Sequence, residues 1–124
     1  MILVDTSIWV DHFRRSNAQL VDALQRDDVL IHPFIIGEIA CGSLRNRATT
    51  LELLQQMPMA TVVEFDEVLG YVERFKLHGK GIGYVDVHLL ASAAMSGATL
   101  WTNDKRLKAT AHGIKCAYVE TGSH

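Results

Sequence analysis

Long apolar runs, paired cysteines and an excess of positive charge are all missing from this chain, and each absence excludes something. No stretch approaches the roughly 18 consecutive apolar residues that a membrane span needs, so no membrane association is expected. The 124 residues hold only two cysteines. Cys41 and Cys116 lie far apart without Cys-x-x-Cys spacing, so neither reads as a zinc ligand, and free thiols in a reducing cytoplasm are expected. The first residues show no basic segment followed by a long apolar stretch, so no signal peptide is expected. Two prolines and no Gly/Ser-rich tract leave nothing to mark a linker, and no internal repeat appears. One domain over residues 1–120 is expected, with Thr121-Gly122-Ser123-His124 as a tag remnant or disordered tail. A formal net charge of -2 rules out a globally basic nucleic-acid binder but leaves room for a local basic patch. No His-Glu-x-x-His pair occurs. The glycines at 79, 81 and 83 fit neither Gly-x-Gly-x-x-Gly nor a Gly-Lys-Ser/Thr loop, which argues against a nucleotide-binding loop.

What the chain does contain is alternation. Strand-length apolar runs read at Ile2–Val4, Val29–His32, Thr61–Val63, Thr99–Thr102 and Lys115–Val119. Helical patterns fall between them. Thr6 or Ser7 can start one that runs to about Arg15, and Asn17 can cap a second. Pro33 suits the first position of a third. Further helices are expected over Thr50–Met57, from an Asp66 cap to about Leu77, from Asp86 to near Gly97, and over Lys105–His112. Such alternation predicts an α/β fold with a mostly parallel sheet.

Four carboxylates interrupt this apolar pattern. Asp5 ends the first strand run, and Asp104 follows Thr99-Leu100-Trp101-Thr102-Asn103. Glu38 falls within Phe34-Ile35-Ile36-Gly37-Glu38-Ile39-Ala40-Cys41. Asp86 opens Asp86-Val87-His88-Leu89-Leu90-Ala91. Helical spacing sets Glu38 beside Phe34, Ile35 and Cys41, and Asp86 beside Leu89, Leu90 and Ala93, on stripes expected to face inward. Each acid alone has an ordinary reading. Asp86 can be a helix-start charge, Glu38 can be paired with a buried Arg or Lys, and Asp5 and Asp104 can be caps or turn residues. Together, unpaired acids in apolar surroundings are costly, and a hard cation with oxygen ligands would relieve them. A metal-dependent enzyme acting on a phosphate ester is the expectation. Asp5 and Asp104 stand just past strand ends, where sites of parallel sheets lie. His88, two residues from Asp86, reads as a packing or surface residue, and Trp9 and Trp101 as core or partner contacts.

In order, these segments resemble the PIN-domain ribonucleases, and among them the VapC-type toxins of toxin–antitoxin pairs. The resemblance is carried by Met1-Ile2-Leu3-Val4-Asp5-Thr6-Ser7-Ile8-Trp9, by Gly37-Glu38, by Gly81-Ile82-Gly83-Tyr84-Val85-Asp86-Val87-His88-Leu89-Leu90-Ala91 and by Trp101-Thr102-Asn103-Asp104-Lys105-Arg106-Leu107. It implies a three-layer PIN-like fold with strand order 3-2-1-4-5, and a catalytic set of Asp5, Glu38, Asp86 and Asp104 holding Mg²⁺ or Mn²⁺. Asp5 and Asp86 would be the most direct ligands. It further implies endoribonuclease hydrolysis leaving a 5′-phosphate and a 3′-hydroxyl, a cognate VapB-type antitoxin covering the site, a homodimer and a cytoplasmic location. Thr6, Ser7 and Asn103 are candidates for orienting the carboxylates, with helix capping as the alternative. Lys80, Lys105 and Arg106, with Lys108 nearby and Arg14, Arg15, Arg45 and Arg47 beside the first two acids, are candidates for a basic rim tracking RNA phosphates. Two rivals stay open. An α/β phosphatase with Asp5 as nucleophile would carry a second acid two residues on, where this chain has Ser7. A non-catalytic RNA-binding or regulatory module would be expected to lose an acid, and none is lost.

Overall fold

The computed structural model describes residues 1–120, and the tail expected at 121–124 lies outside the described residues. β1 (Ile2–Val4) is central, and β2 (Val29–Leu30) and β3 (Thr99–Trp101) lie parallel on either side of it. Ile2 pairs with Val29 on one edge and Thr99 on the other, and Leu3 with Leu30 and Leu100. All three β1 residues are buried. A strand covered on both faces needs an unbroken apolar run rather than alternation. Burying each large aliphatic side chain here contributes roughly 1.5–3 kcal/mol.

Seven helices surround this sheet among the described residues: α1 (Thr6–Arg14), α2 (Ala18–Gln25), α3 (Pro33–Cys41), α4 (Arg47–Gln55), α5 (Phe65–Phe75), α6 (Tyr84–Met95) and α7 (Lys105–Gly113). α6 packs against β1, β3 and α5, and every residue from Val87 to Ala93 is buried. α1 rests on α3, and α3 on α4. Among the described residues no helix is long and apolar enough to cross a membrane. Both tryptophans are core residues, and both cysteines are free thiols.

The helix starts follow from local chemistry. Asn17 Oδ1 accepts from Leu20 N at 3.0 Å. His32 Nδ1 accepts from Phe34 N at 3.0 Å, with Pro33 supplying a first helical residue that needs no N–H partner. α5 departs from expectation. Its cap is Glu64, with no side-chain capping bond, and Asp66 stands in the first turn. α4 begins three residues earlier than expected, at Arg47.

The sheet is also smaller than the five strands expected. Thr61–Val63 forms no ladder, because the Thr61 amide donates to Ser96 Oγ at 2.9 Å instead of to a neighbouring strand. Pairing occurs two residues earlier, as a single parallel bridge between Ile31 and Met59. Lys115–Val119 likewise contributes one bridge, Leu100 to Ala117. Lys115 itself is left-handed at φ 59, which keeps the start of that segment out of extended pairing.

Candidate active site

At the carboxyl end of the sheet, β1 stops at Val4 and Asp5 turns the chain into α1. Asp5 Oδ1 accepts from Thr6 N at 2.8 Å. Its other oxygen accepts from Thr102 Oγ1 at 2.7 Å and from Ser7 Oγ at 3.1 Å. Asp5 N donates to Trp101 O at 2.9 Å, which locks the turn to the end of β3. The next strand end repeats the device. Asp104 Oδ1 accepts from Leu107 N at 2.9 Å and caps α7.

Thr102 joins the two. Its hydroxyl donates to Asp5 and accepts from Asp104 N at 3.1 Å. Two acids from the ends of neighbouring parallel strands therefore share one buried hydroxyl. They stand where the connections leave the sheet in opposite directions, the usual place for a site in such folds. Thr102 is absent from the candidates that the residue pattern yields, because it reads as strand. The available signal is a polar side chain at the last buried position before two acid-bearing turns.

Glu38 enters from α3. Thr6 Oγ1 donates to Glu38 Oε1 at 2.7 Å, so the residue after Asp5 ties the second acid to the first. Asp86 enters from α6, where its Oδ2 accepts from Gly83 N at 3.1 Å. Burial first, and then the negative charges of Asp5 and Asp104, push the Asp86 carboxyl up from its ordinary value, while the Gly83 amide pulls it down. The acids thus feel one another, and none of the four forms an ion pair among the described residues.

The inward placement expected of these acids needs correction. Asp5 is buried at 9% exposure, Asp86 is half-buried, and Glu38 and Asp104 are exposed. α3 buries Ile35 and Ile39. Phe34, Glu38 and Cys41 share the opposite face, which is exposed. Spacing groups Glu38 correctly with Phe34 and Cys41 but assigns their face to the wrong side, because this helix is apolar nearly all round. The capping readings of Asp5 and Asp104 hold as well, and they do not compete with a shared site. A cap uses oxygens on the side facing the helix amides, and the second oxygen of Asp104 accepts no hydrogen bond among the described residues.

Of the three orienting candidates, Thr6 and Ser7 touch carboxylates. Asn103 takes part through its backbone, its amide donating to Ser7 Oγ at 3.1 Å. The basic candidates divide. Arg47 is spent on Ala40 O at 2.8 Å, Arg15 lies near Asp11, and Lys108 lies near Glu120. Lys80, Lys105 and Arg106 make no ion pair among the described residues. His88 packs between the Phe34 and Tyr84 rings at 4.9 and 4.6 Å.

Among the described residues no group of three or more His, Cys, Asp or Glu side chains is placed to hold a metal ion. An open face of carboxylate oxygens still fits Mg²⁺ or Mn²⁺ in its chemistry. Such hard ions keep several waters and take only one or two carboxylates from the protein, and the mutual repulsion at Asp86 calls for a cation.

A family model described as PIN domain matches residues 2–113. Ribonuclease VapC32 of Mycobacterium tuberculosis is 50% identical over 110 residues, which is 88% of this chain and 89% of the relative, in both strain CDC 1551 / Oshkosh and strain ATCC 25618 / H37Rv. Two solved structures share the fold. PAE2754 from Pyrobaculum aerophilum aligns with a TM-score of 0.59 at 21% identity, over 90% of this chain and 80% of that one. FitAB bound to an IR36 DNA fragment aligns with a TM-score of 0.60 at 20% identity, over 99% of this chain and 100% of that one.

Proposed function

This chain belongs to the PIN-domain family, among its VapC-type ribonucleases, and from that premise we propose that its acidic face hydrolyses phosphodiester bonds of RNA as the toxin of a toxin–antitoxin pair. The observation that carries the proposal is the gathering of acids at the carboxyl end of the sheet, where Thr102 links the Asp5 and Asp104 turns and Thr6 ties Glu38 to them, with no ion pair to these acids among the described residues.

Asp5 and Asp86 would hold Mg²⁺ or Mn²⁺, with Asp104 and Glu38 completing the set directly or through water. When bound, such an ion lowers the pKa of a coordinated water and offsets charge on the phosphodiester. The protein's own contribution is to hold the oxygens in place. Thr102 and Ser7 fix one Asp5 oxygen, Thr6 fixes Glu38, the Gly83 amide fixes Asp86 and the Leu107 amide fixes Asp104. Each of these donors satisfies one oxygen, and the second oxygens of Glu38, Asp86 and Asp104 accept no hydrogen bond among the described residues. In-line attack by water would leave a 5′-phosphate and a 3′-hydroxyl. The 2′-hydroxyl takes no part, so preference for RNA would rest on shape and on contacts beyond the cut. Lys80, Lys105 and Arg106 are the cations available for those contacts.

A cognate VapB-type antitoxin would silence the site by laying a segment over it. The working form would be a cytoplasmic homodimer. In the order 3-2-1-4-5 implied by the family, the Met59 and Ala117 bridges would stand for the outer strands. The phosphatase alternative is disfavoured, because such an enzyme would carry a second acid two residues after a nucleophilic Asp5, where this chain has Ser7.

The deciding experiment incubates purified protein with total cellular RNA in Mg²⁺ or Mn²⁺, in EDTA, and as Asp5→Asn. Discrete metal-dependent products, lost in the variant, are expected. Intact RNA with either ion would sink the nuclease and favour the non-catalytic module.

A further inference from the structure

A second concavity lies between the end of α5 and α7. Its volume is about 360 Å³, within the range of roughly 300–1,000 Å³ that small-ligand clefts occupy. Phe75, Leu77 and Ile114 give it an apolar lining, and Lys80 and Arg106 are its cations. Arg106 stands two residues beyond Asp104 in the first turn of α7, and Lys80 sits in the loop that leads to Asp86. The cleft is therefore connected through both elements to two of the four acids.

Three details suit it to a nucleotide. The two cations make no ion pair among the described residues, whereas Arg47 and Lys108 are engaged elsewhere. The Phe75 ring is held in place, with Tyr71 stacked at 5.7 Å and the Arg74 guanidinium at 5.2 Å. Finally, Arg106 lies directly against Gly81. A Cβ on Gly81 would come within 2.7 Å of Arg106 Nη1 and 2.8 Å of its Cδ, and Gly81 is left-handed at φ +76. The missing side chain at residue 81 gives the guanidinium its position along the loop.

Resting on the ribonuclease reading above, we propose that this cleft seats one nucleotide of the RNA strand outside the bond that is cut. Its phosphate lies against Lys80 and Arg106, and its base lies on the apolar wall formed with Phe75. With Tyr71 and Arg74 already on the Phe75 ring, the base meets Phe75, Leu77 and Ile114 as apolar surface, a contact that demands no particular base. Gly81 is the positioning residue, acting through Arg106.

The test is fluorescence anisotropy with a short fluorescein-labelled single-stranded RNA of mixed sequence, in EDTA, across a salt series. Lys80→Ala with Arg106→Ala is expected to weaken binding about tenfold. The slope of log affinity against log salt should become shallower by about 0.7, the value for one phosphate no longer neutralised. Gly81→Ala should weaken binding in the same direction while Arg106 is present and weaken it less once Arg106 is alanine, the remaining loss being the strain of a side chain at φ +76. Phe75→Leu keeps the apolar wall and most of its volume and should change binding by less than about twofold. Arg26→Ala, at the far end of the sheet, controls for net charge, and thermal melts by circular dichroism control for folding. Affinity and salt slope unchanged in the double variant, or changed no more than in Arg26→Ala, would overturn the proposal, as would a protein that binds no RNA. Cleavage of cellular RNA by the unmodified protein is scored separately. A protein that cuts RNA but ignores Lys80 and Arg106 refutes the cleft alone. One that binds through them without cutting refutes the nuclease alone.

Discussion

The two ends of the parallel sheet make opposite use of charge. At the amino end lies the larger cavity, about 580 Å³, lined by Met1, Asp22, Arg26, Asp28 and Tyr118 among others. Its charges are matched. The terminal ammonium lies 3.4 Å from Asp28, and Arg26 lies between Asp22 at 3.6 Å and Asp28 at 3.8 Å. At the carboxyl end Asp5, Glu38, Asp86 and Asp104 have hydrogen bonds but no ion-paired cation among the described residues. Size alone would choose the first end as the site. Unmatched charge is the ground on which the proposed function takes the second, since active sites commonly gather like charges.

The contrast breaks most visibly if an acid of each end is neutralised. Asp5→Asn should lower metal-dependent RNA cleavage on the order of 10³-fold, the scale of several kcal/mol of charge stabilisation. Asp22→Asn should leave cleavage intact. Equal losses in the two variants would erase the distinction.

Acid should weaken the two ends differently. His32, buried at the carboxyl end of β2, has its pKa lowered from 6.5 to about 4, by burial and then by the charge of His88. The folded state therefore binds its proton less readily than the unfolded chain. The associated stability is fully present above pH 6.5 and is lost as pH falls from there towards 4. A shift of that size corresponds to about 3 kcal/mol. Urea melts at pH 7 and pH 4 measure it. His32→Asn, which keeps a capping oxygen but cannot titrate, should flatten the decline, and parallel declines in both proteins would refute the assignment.

Thr102→Val sharpens the comparison from inside the acidic end. It removes the 2.7 Å bond to Asp5 and the acceptor for the Asp104 amide. Cleavage should fall roughly 10–100-fold, as for other groups that orient ligands, with about 1–2 kcal/mol of stability lost in thermal melts. The smallest effect belongs to the amino end. Arg26→Ala should cost at most about 1 kcal/mol, because its pairs are solvent-exposed, and high salt should remove the difference from wild type.

Much of this arrangement is legible in the residues. A strand end followed by an acid occurs at Asp5 and again at Asp104, and parallel alternation brings such ends together. The illegible parts have physical causes. α3 is apolar on nearly every face, so periodicity can group Glu38 with Phe34 and Cys41 without saying which way they point. The outer strands depend on single bridges at Met59 and Ala117, and a competing bond such as Thr61 to Ser96 leaves no trace in local propensity. Thr102 has the composition of a strand residue, and only the tertiary fold brings its hydroxyl to the Asp5 carboxylate while it accepts from the Asp104 amide. Lys80 and Arg106 share a cleft because residue 81 lacks a side chain, which is a fact of three-dimensional packing.

Asp104 divides its labour between its two oxygens, one capping α7 and the other open to the acidic face. Asparagine caps a helix about as well as aspartate and carries no charge. Their codons differ by a single base. On the proposed reading, in which Asp104 completes the metal set, a working protein and a silent one of nearly equal stability are one point mutation apart, and a population under pressure to disarm the chain would reach Asp104→Asn without passing through an unfolded protein.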